Sequence, residues 1–185
     1  MFETISAFWA DNGNVLIEGT WETLIMVALS TALAYVIGVP LGVALIVTQP
    51  QGIRPHKGLY GVLGWIVNIG RSLPFAILLV AIMPYTRFLV GTAIGVRGAI
   101  PPLVISAAPF VARMVETSLS EVDAGVVEAA QSKGASPLQI VRKVYLPEAM
   151  PSLVLGGAIS VVTILAYTAI AGMVGAGGLG SIAIQ

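Results

Sequence analysis

The sequence predicts an all-α, polytopic membrane protein, and three observations lead to that prediction. Of the 185 residues, 57% are hydrophobic and 10% are charged, whereas soluble domains are nearer a quarter charged. Apolar segments recur at the length of about 20 residues that one helix needs to cross a bilayer. A single long polar interval, residues 116–152, contains five of the nine acidic residues and three of the nine basic ones. We therefore expect about four transmembrane helices and one polar segment held outside the lipid.

The composition also excludes several classes of function. The formal net charge is zero and there are no cysteines, which argues against nucleic-acid binding and leaves no disulfide or thiolate metal site. His56 is the sole histidine. Gly175, Gly177 and Gly180 satisfy G-x-G-x-x-G, but a dinucleotide site requires a strand before that motif, and an apolar span precedes it here. Since no G-x-x-x-x-G-K-[ST] motif occurs either, we expect a chain that is not an enzyme and holds no cofactor or metal.

The first transmembrane helix is expected at residues 23–47, a run of 25 residues without a formal charge. At about 1.5 Å per residue the run is roughly 37 Å long, enough to cross a hydrocarbon core of about 30 Å. Within it, Gly38 and Gly42 form a G-x-x-x-G pair, which favours close helix packing or a kink, with a functional hinge as the alternative. Before it we expect a polar lead at residues 1–20, with an interfacial helix that uses Phe2, Phe8 and Trp9.

The second span is expected at residues 59–83, after a turn-rich loop at residues 49–57. Asn68, Arg71 and Pro74 interrupt this span. A charge at the bilayer centre costs on the order of 3 kcal/mol, and all nine carboxylates lie outside the predicted spans, so Arg71 has to face protein or water. Two interpretations stay open, namely a packed bend between Arg71 and Pro74 and the lining of a transport pathway.

The third span has weaker boundaries, because Pro101 and Pro102 are expected to break any helix. We expect a loop or short re-entrant stretch at residues 88–99, followed by a span that ends near Arg113. The fourth span is uninterrupted and covers 22 residues, 153–174.

The fourth span carries polar side chains on one face. Ser160, Thr163 and Tyr167 are three and four residues apart, which places them on the same side of a helix. Hydrogen bonding between helices is one interpretation, and the lining of a pathway is the other. The candidate pathway residues of the whole chain are Arg71, Ser72, Ser160, Thr163 and Tyr167.

The basic residues predict the orientation of the spans. With four spans, the loop at residues 49–57 and the polar interval 116–152 share one side of the membrane, and the N-terminus lies on the other. Cytoplasmic loops carry an excess of Lys and Arg, so we expect residues 116–152 in the cytoplasm and the N-terminus outside. Six basic residues lie on the first side (Arg54, Lys57, Arg113, Lys133, Arg142 and Lys143) and two on the second (Arg87 and Arg97).

The polar interval indicates two short helices joined by a glycine corner, a segment that we call the elbow (residues 120–146). A capping box at residues 120–123, or one at residues 118–121, favours the start of the first helix. The first helix is expected to run to Lys133, where Gly134 supplies a left-handed stop.

The second helix of the elbow is expected to begin at Ser136, which caps it, with Pro137 in its first position. Pro147 is expected to end it. Small residues in the first helix let a partner approach closely, which favours docking against another protein. The alternative is an amphipathic helix on the lipid surface, but that would require Lys or Arg beside bulky apolar residues, and acidic residues predominate in the first helix.

Glu128-Ala129-Ala130, then Gly134 four residues later, then Leu146-Pro147 form a specific pattern. This pattern resembles the EAA loop of ABC-transporter permeases, whose coupling helices sit in a cleft of an ATP-hydrolysing subunit. Four further stretches look like the permeases of methionine importers, so that the resemblance covers nearly the whole chain. These stretches are RSLPF at residues 71–75, MPYTR at 83–87, APFVARMVE at 108–116 and GAGGLG at 175–180.

The resemblance implies a type I importer fold, with residues 1–185 as one permease domain and the elbow as its coupling helices. It implies a multi-pass protein of the bacterial inner membrane that pairs with a second copy of itself. Two copies of a cytoplasmic ATP-binding subunit and an external substrate-binding lipoprotein are the other implied partners. Methionine, in its D- or L-form, is the implied cargo. The implied ATPase-coupling residues are Glu128, Ala129, Ala130, Gly134, Ala135, Leu146 and Pro147.

The sequence departs from that family in one respect. Such permeases have a fifth span, and here the sequence ends at Gln185 soon after the glycine-rich stretch, so we expect four spans and a C-terminally short domain. Two alternatives stay open for function. One is the same class of permease with another cargo, such as a different amino acid or an oxyanion, and the other is a channel or scaffold that works without an ATPase.

Overall fold

The computed structural model describes residues 2–184, with side chains for residues 12–184. Over that range the chain is largely helical and forms no strand, which confirms the all-α class. The helices are α1 (Phe2–Thr48), α2 (Lys57–Ser72), α3 (Phe75–Val90), α4 (Gly95–Ser120), α5 (Ala124–Ser132), α6 (Pro137–Ile140), α7 (Leu146–Glu148), α8 (Met150–Gly172) and α9 (Gly178–Ile182), with a π-helical turn at Val141–Tyr145 between α6 and α7.

Three helices in the described residues are long and apolar enough to cross a membrane: α1 from Asn12 onward, α4 and α8. The sharply bent pair of α2 and α3 adds a fourth crossing if the two are one broken span. The expected number of four spans therefore depends on counting that pair once.

The first helix is longer than the sequence analysis predicted. α1 begins at Phe2 and continues to Thr48, so the separate polar lead at residues 1–20 is wrong. No proline interrupts residues 2–39, and isolated glycines cost a helix only about 1 kcal/mol each. As a consequence Glu22, which was expected outside the spans, lies in a helix that can cross the membrane. The side chains of Phe2, Phe8 and Trp9 lie outside the described residues.

The second span is broken rather than continuous. α2 ends at Ser72 and α3 begins at Phe75, because Pro74 has no N–H and favours an extended conformation in the preceding residue. Leu73 is indeed extended, with φ −83° and ψ 122°. The chain therefore bends between Arg71 and Pro74, as one of the two interpretations predicted, but residues 71–74 are exposed, so the bend is not a packed one.

The third span tolerates the prolines that were expected to break it. Pro101 and Pro102 both lie inside α4. The expected loop across residues 88–99 is therefore wrong except at residues 91–94, because α3 continues to Val90 and α4 begins at Gly95. Pro102 and Leu103 are fully buried. Packing against neighbouring segments holds a membrane helix together where proline removes a hydrogen bond, and the span reaches Ser120 instead of ending near Arg113.

The chain groups into two compact units. The first comprises Met1–Ala32, Pro74–Val104 and Val162–Gln185, and its core includes Met26, Leu79 and Leu103. In this unit the ring of Phe75 stacks on Tyr167, with centroids 4.5 Å apart and 8° between the ring planes.

In the same unit, α9 folds back onto α1. The Gly178 N–H donates to Glu22 Oε2 at 2.6 Å, and the Leu179 N–H donates to Thr23 Oγ1 at 3.0 Å. Gly178 has a φ of +72°, which a residue with a side chain rarely adopts. The glycine-rich stretch is thus a turn that directs two backbone N–H groups toward side chains of α1.

The second unit comprises Leu33–Leu73 and Ile105–Val161. Leu45, Val67 and Ala112 form its buried apolar cluster. A side chain at Gly38 or Gly42 would collide with the backbone of α4, so the G-x-x-x-G pair serves close packing of α1 on α4, as one of the two interpretations predicted.

Candidate functional site

The first arm of the elbow is α5, and its N-cap is Asp123. The Asp123 carboxylate accepts a hydrogen bond from the Gly125 N–H at 2.7 Å. The predicted capping boxes at residues 118–121 and 120–123 are wrong, because α4 continues to Ser120 and the Ser120 hydroxyl donates to the Thr117 carbonyl. An Asp with an extended backbone, here ψ 127°, is a stronger cap than a Ser that is still inside the preceding helix.

The corner of the elbow is a Schellman motif centred on Gly134. The Ala135 N–H donates to the Ala130 carbonyl at 3.1 Å, and the Gly134 N–H donates to the Gln131 carbonyl at 2.9 Å. This pair of bonds requires a left-handed residue after the last helical turn, and Gly134 has a φ of +76°. The predicted stop is confirmed, and the four-residue spacing between Ala130 and Gly134 is the spacing that this motif imposes.

The second arm starts as predicted and ends differently. Ser136 and Gln139 cap each other reciprocally, with Pro137 in the first turn. Pro147 does not end the helical path, which continues through the π-helical turn into α7 and, after Ala149, into α8. In the wide turn the Leu146 N–H bonds to the Val141 carbonyl five residues back. That widening relieves the clash that Pro147 would cause in a regular helix.

Some side chains of the two arms are buried and others are exposed. Val127, Ile140, Val141 and Tyr145 are buried. Burial raises the pKa of the Tyr145 phenol above its ordinary value of 10.0. By contrast, Val126 and Leu138 are exposed, so the elbow presents apolar side chains on its outer surface.

A polar cavity of about 260 Å³ lies under α5, between this helix, the end of α4 and the loop after α1. Ala124, Val127, Glu128 and Gln131 face it from α5. The opposite face of α5 consists of small or short residues such as Gly125 and Ala129, both exposed. This face allows another backbone to approach closely.

The predicted coupling residues fall into three groups. Glu128 lines the cavity. Ala129, Gly134 and Pro147 are exposed, and the remaining three, Ala130, Ala135 and Leu146, are half-buried. The structure therefore brings all seven into one segment of the second unit, with both arms and the corner represented.

The elbow is anchored at both ends to neighbouring helices. The Ser152 hydroxyl, near the start of α8, donates to the Ser118 hydroxyl near the end of α4 at 3.0 Å. This bond links α4 and α8, the two helices between which the elbow lies in the sequence.

The candidate pathway residues have different surroundings. Arg71 and Ser72 are exposed at the end of α2, where the Ser72 hydroxyl donates to the Asn68 carbonyl. Ser160 is fully buried and donates to the Gly156 carbonyl at 2.8 Å. Thr163 and Tyr167 are half-buried.

An ion-pair network in the second unit was not predicted from the sequence. Arg113 pairs with Glu116 at 2.6 Å and donates a second bond to Asn68 Oδ1, also at 2.6 Å. The Tyr60 hydroxyl donates to the other oxygen of Glu116 at 3.3 Å. The spacing of Arg113 and Glu116 is a signal for pairing along a helix, but nothing in the sequence brings α2 to them.

Comparison with known proteins gives concordant results. A family profile described as the binding-protein-dependent transport system inner membrane component matches residues 38–185. The chain is 52% identical over 184 residues to the probable D-methionine transport system permease protein MetI of Vibrio cholerae, covering 100% of this chain and 82% of that protein. It is 52% identical over 158 residues to the D-methionine transport system permease protein MetI of Escherichia coli K12, covering 85% and 73% of the two chains.

Solved structures resemble the fold closely. A chain of the MetNI methionine ABC transporter in an inward-facing conformation matches with a TM-score of 0.93 and 51% identity, over 95% of this chain and 81% of that one. An amino acid ABC transporter matches with a TM-score of 0.76 over 95% of this chain and 78% of that one, and at 20% identity it supports the fold alone.

Proposed function

The chain belongs to the family of binding-protein-dependent transport system inner membrane components, and on that premise we propose that it is the permease subunit of an ABC importer for methionine. The observation that carries the proposal is the 52% identity to a D-methionine permease over 184 residues. The cargo is methionine in its D-form, its L-form or both. The chain itself carries no chemistry, and ATP is hydrolysed on a separate subunit.

The proposed assembly contains two copies of this chain, two ATP-binding subunits and an external substrate-binding lipoprotein. The elbow is the surface for the ATP-binding subunit, because it combines exposed apolar side chains at Val126 and Leu138 with the small outer face of α5. Apolar residues exposed beside close-approach positions are typical of protein interfaces. Glu128 lines the cavity under α5, and Gly134 fixes the angle between the arms.

Movement of the elbow drives the transport cycle in this proposal. ATP binding draws the two ATP-binding subunits together, and each carries its elbow with it. The Ser118–Ser152 bond and the helical path through the wide turn both lead from the elbow into the spans. Only the three residues 121–123 separate α4 from α5, and the helical path continues from the second arm toward α8. Displacement of the elbow therefore tilts α4 and α8 and alternates access to the pathway.

The proposed orientation places residues 116–152 in the cytoplasm and the N-terminus outside. The six-to-two distribution of basic residues supports it, since positive loops stay on the cytoplasmic side. The proposed pathway lining comprises Arg71, Ser72, Ser160, Thr163 and Tyr167, of which Arg71 and Ser72 are the most accessible.

The experiment is purification of the tagged chain in mild detergent after co-expression with candidate ATP-binding subunits. We expect a nucleotide-binding subunit to co-elute, and the reconstituted complex to accumulate radiolabelled methionine in an ATP-dependent manner. Unlabelled D-methionine, L-methionine, other amino acids and oxyanions are tested as competitors. Uptake that proceeds without ATP would favour a channel, and competition by another solute alone would overturn the choice of cargo.

A further inference from the structure

Arg71 is a basic residue at the far end of a helix that is expected to lie within the membrane. It is the fifteenth residue of α2 (Lys57–Ser72), about 21 Å from the start of that helix at 1.5 Å per residue. Its side chain is exposed, and among the residues with described side chains no hydrogen bond or ion pair to it is found. A charge at such a depth is retained where it faces water or binds a ligand.

The Arg71 side chain borders a groove of about 270 Å³ on the second compact unit, between α2, α4 and α8. One wall of the groove is apolar, and hydroxyl groups lie at the end nearer the elbow. The apolar residues are Phe110, Met114, Leu155 and Ile159, and the hydroxyl groups belong to Thr117, Ser118 and Ser152.

The second arginine of the groove, Arg113, differs from Arg71 because its charge is already balanced. Glu116 is buried and pairs with it at 2.6 Å, and Asn68 takes a second bond from the same guanidinium. The network fixes the Arg113 side chain in place and neutralises it. The groove therefore carries one net positive charge, located at Arg71 beside an apolar wall.

We infer that this groove is a transient binding site for the cargo, with the carboxylate of an apolar α-amino acid on Arg71 and its side chain against Met114 and Leu155. The inference rests on the proposed function and names the residues that handle the cargo. A guanidinium and a carboxylate form charge-assisted, commonly bidentate hydrogen bonds. The unbranched thioether of methionine fits an apolar wall of this kind, and the hydroxyl of Thr117 offers an acceptor to the ammonium group.

A photoreactive methionine analogue with a diazirine in its side chain tests the site. The complete transporter, with its ATP-binding subunits and binding protein, is reconstituted in lipid, labelled and digested. We expect labelled peptides from α4 and α8 around Met114 and Leu155, and we expect free methionine to compete. Loss of a charge-assisted hydrogen bond of this type weakens binding about tenfold or more, so R71Q should lower the labelling by about that factor while R71K retains most of it.

The matched control is R87Q, which removes an exposed arginine at the end of α3 that does not line the groove. A second variant, L155W, fills the apolar wall and leaves Arg71 intact, so it tests the site even if R71Q does not assemble. Equal labelling in R71Q and R87Q, or unchanged labelling in L155W, would overturn the inference. So would labelling that anionic phospholipid displaces and methionine does not. Failure of the unmodified transporter to accumulate methionine would instead refute the proposed function.

Discussion

Close packing of α1 on α4 at Gly42 gives the sharpest quantitative prediction. A β-carbon added at Gly42 would lie 2.5 Å from the Ala112 carbonyl oxygen and 2.7 Å from Val115 Cβ. Carbon atoms normally rest about 3.5–4.0 Å apart, so the two helices would have to separate by roughly 1 Å. Neither obstacle is the flexible end of a side chain, and the separation cannot be avoided by a change of rotamer.

The cost of Gly42→Ala follows from two opposing effects. Overpacking of this kind costs about 1–3 kcal/mol, whereas replacing Gly by Ala within a helix gains about 0.5–1 kcal/mol. The net loss of stability is therefore between zero and about 2.5 kcal/mol. For a chain of this size, about 2–4 °C per kcal/mol, the midpoint of thermal unfolding falls by up to roughly 5–10 °C.

Thermal unfolding of the detergent-solubilised chain measures this loss, and Gly61→Ala is its matched control. Gly61 lies in α2, and no atom of the described chain lies within 4 Å of the β-carbon that the substitution would add. Gly61→Ala should leave the midpoint unchanged or raise it slightly. Equal midpoints for the two variants would refute the conclusion that Gly42 permits helix contact.

Three further predictions concern the elbow and the α1–α9 contact. Gly134→Val should abolish uptake without loss of membrane insertion. A β-branched residue at a φ of +76° strains the corner of the elbow, at a cost of about 1–3 kcal/mol. Normal uptake by vesicles that contain this variant would contradict the prediction. Glu22→Ala should increase proteolytic cleavage near Gly178, whose N–H loses its acceptor, whereas Glu22→Gln, which keeps an oxygen there, should not. Because burial raises the pKa of Tyr145, the unfolded chain releases this proton first, so stability should be complete below pH 10.0 and fall as pH rises through the folded-state pKa. Thermal midpoints between about pH 9 and 11 should show this fall, and Tyr145→Phe should reduce it.

Local chemistry made part of this fold predictable from the sequence. Gly134 adopts the left-handed conformation that ends a helix, and Ser136 caps a helix that has Pro137 in its first turn. Both features were predicted correctly, because they depend on the preferences of the residues themselves. Pro101, Pro102 and Pro147 were mistaken for helix ends, because the packing around a membrane helix, or a widened turn beside it, outweighs the preference of proline. Such packing depends on contacts between residues far apart in sequence, and local sequence patterns do not reveal these contacts.

In the candidate site, too, local features were predicted from the sequence and long-range contacts were not. The seven predicted coupling residues, Glu128 to Pro147, come from a motif within about 20 positions of sequence. The network of Arg113 with Asn68 joins positions 45 residues apart, and that of Tyr60 with Glu116 joins positions 56 apart. Glu22 was expected outside the spans because it is charged, and its contact with Gly178, 156 residues away, could not be foreseen from the sequence. Long-range polar contacts inside an apolar protein are therefore the part that required the structure.

The π-helical turn at Val141–Tyr145 has a consequence for the direction in which the elbow points. A turn of this kind carries one residue more than a regular helix would, and one residue corresponds to a rotation of about 100° about the helix axis. Removing that residue would leave both flanking helices intact but would point the elbow toward a different azimuth relative to α8. The extra residue therefore determines the rotation of the elbow about the axis of α8, whatever the length and stiffness of its two arms.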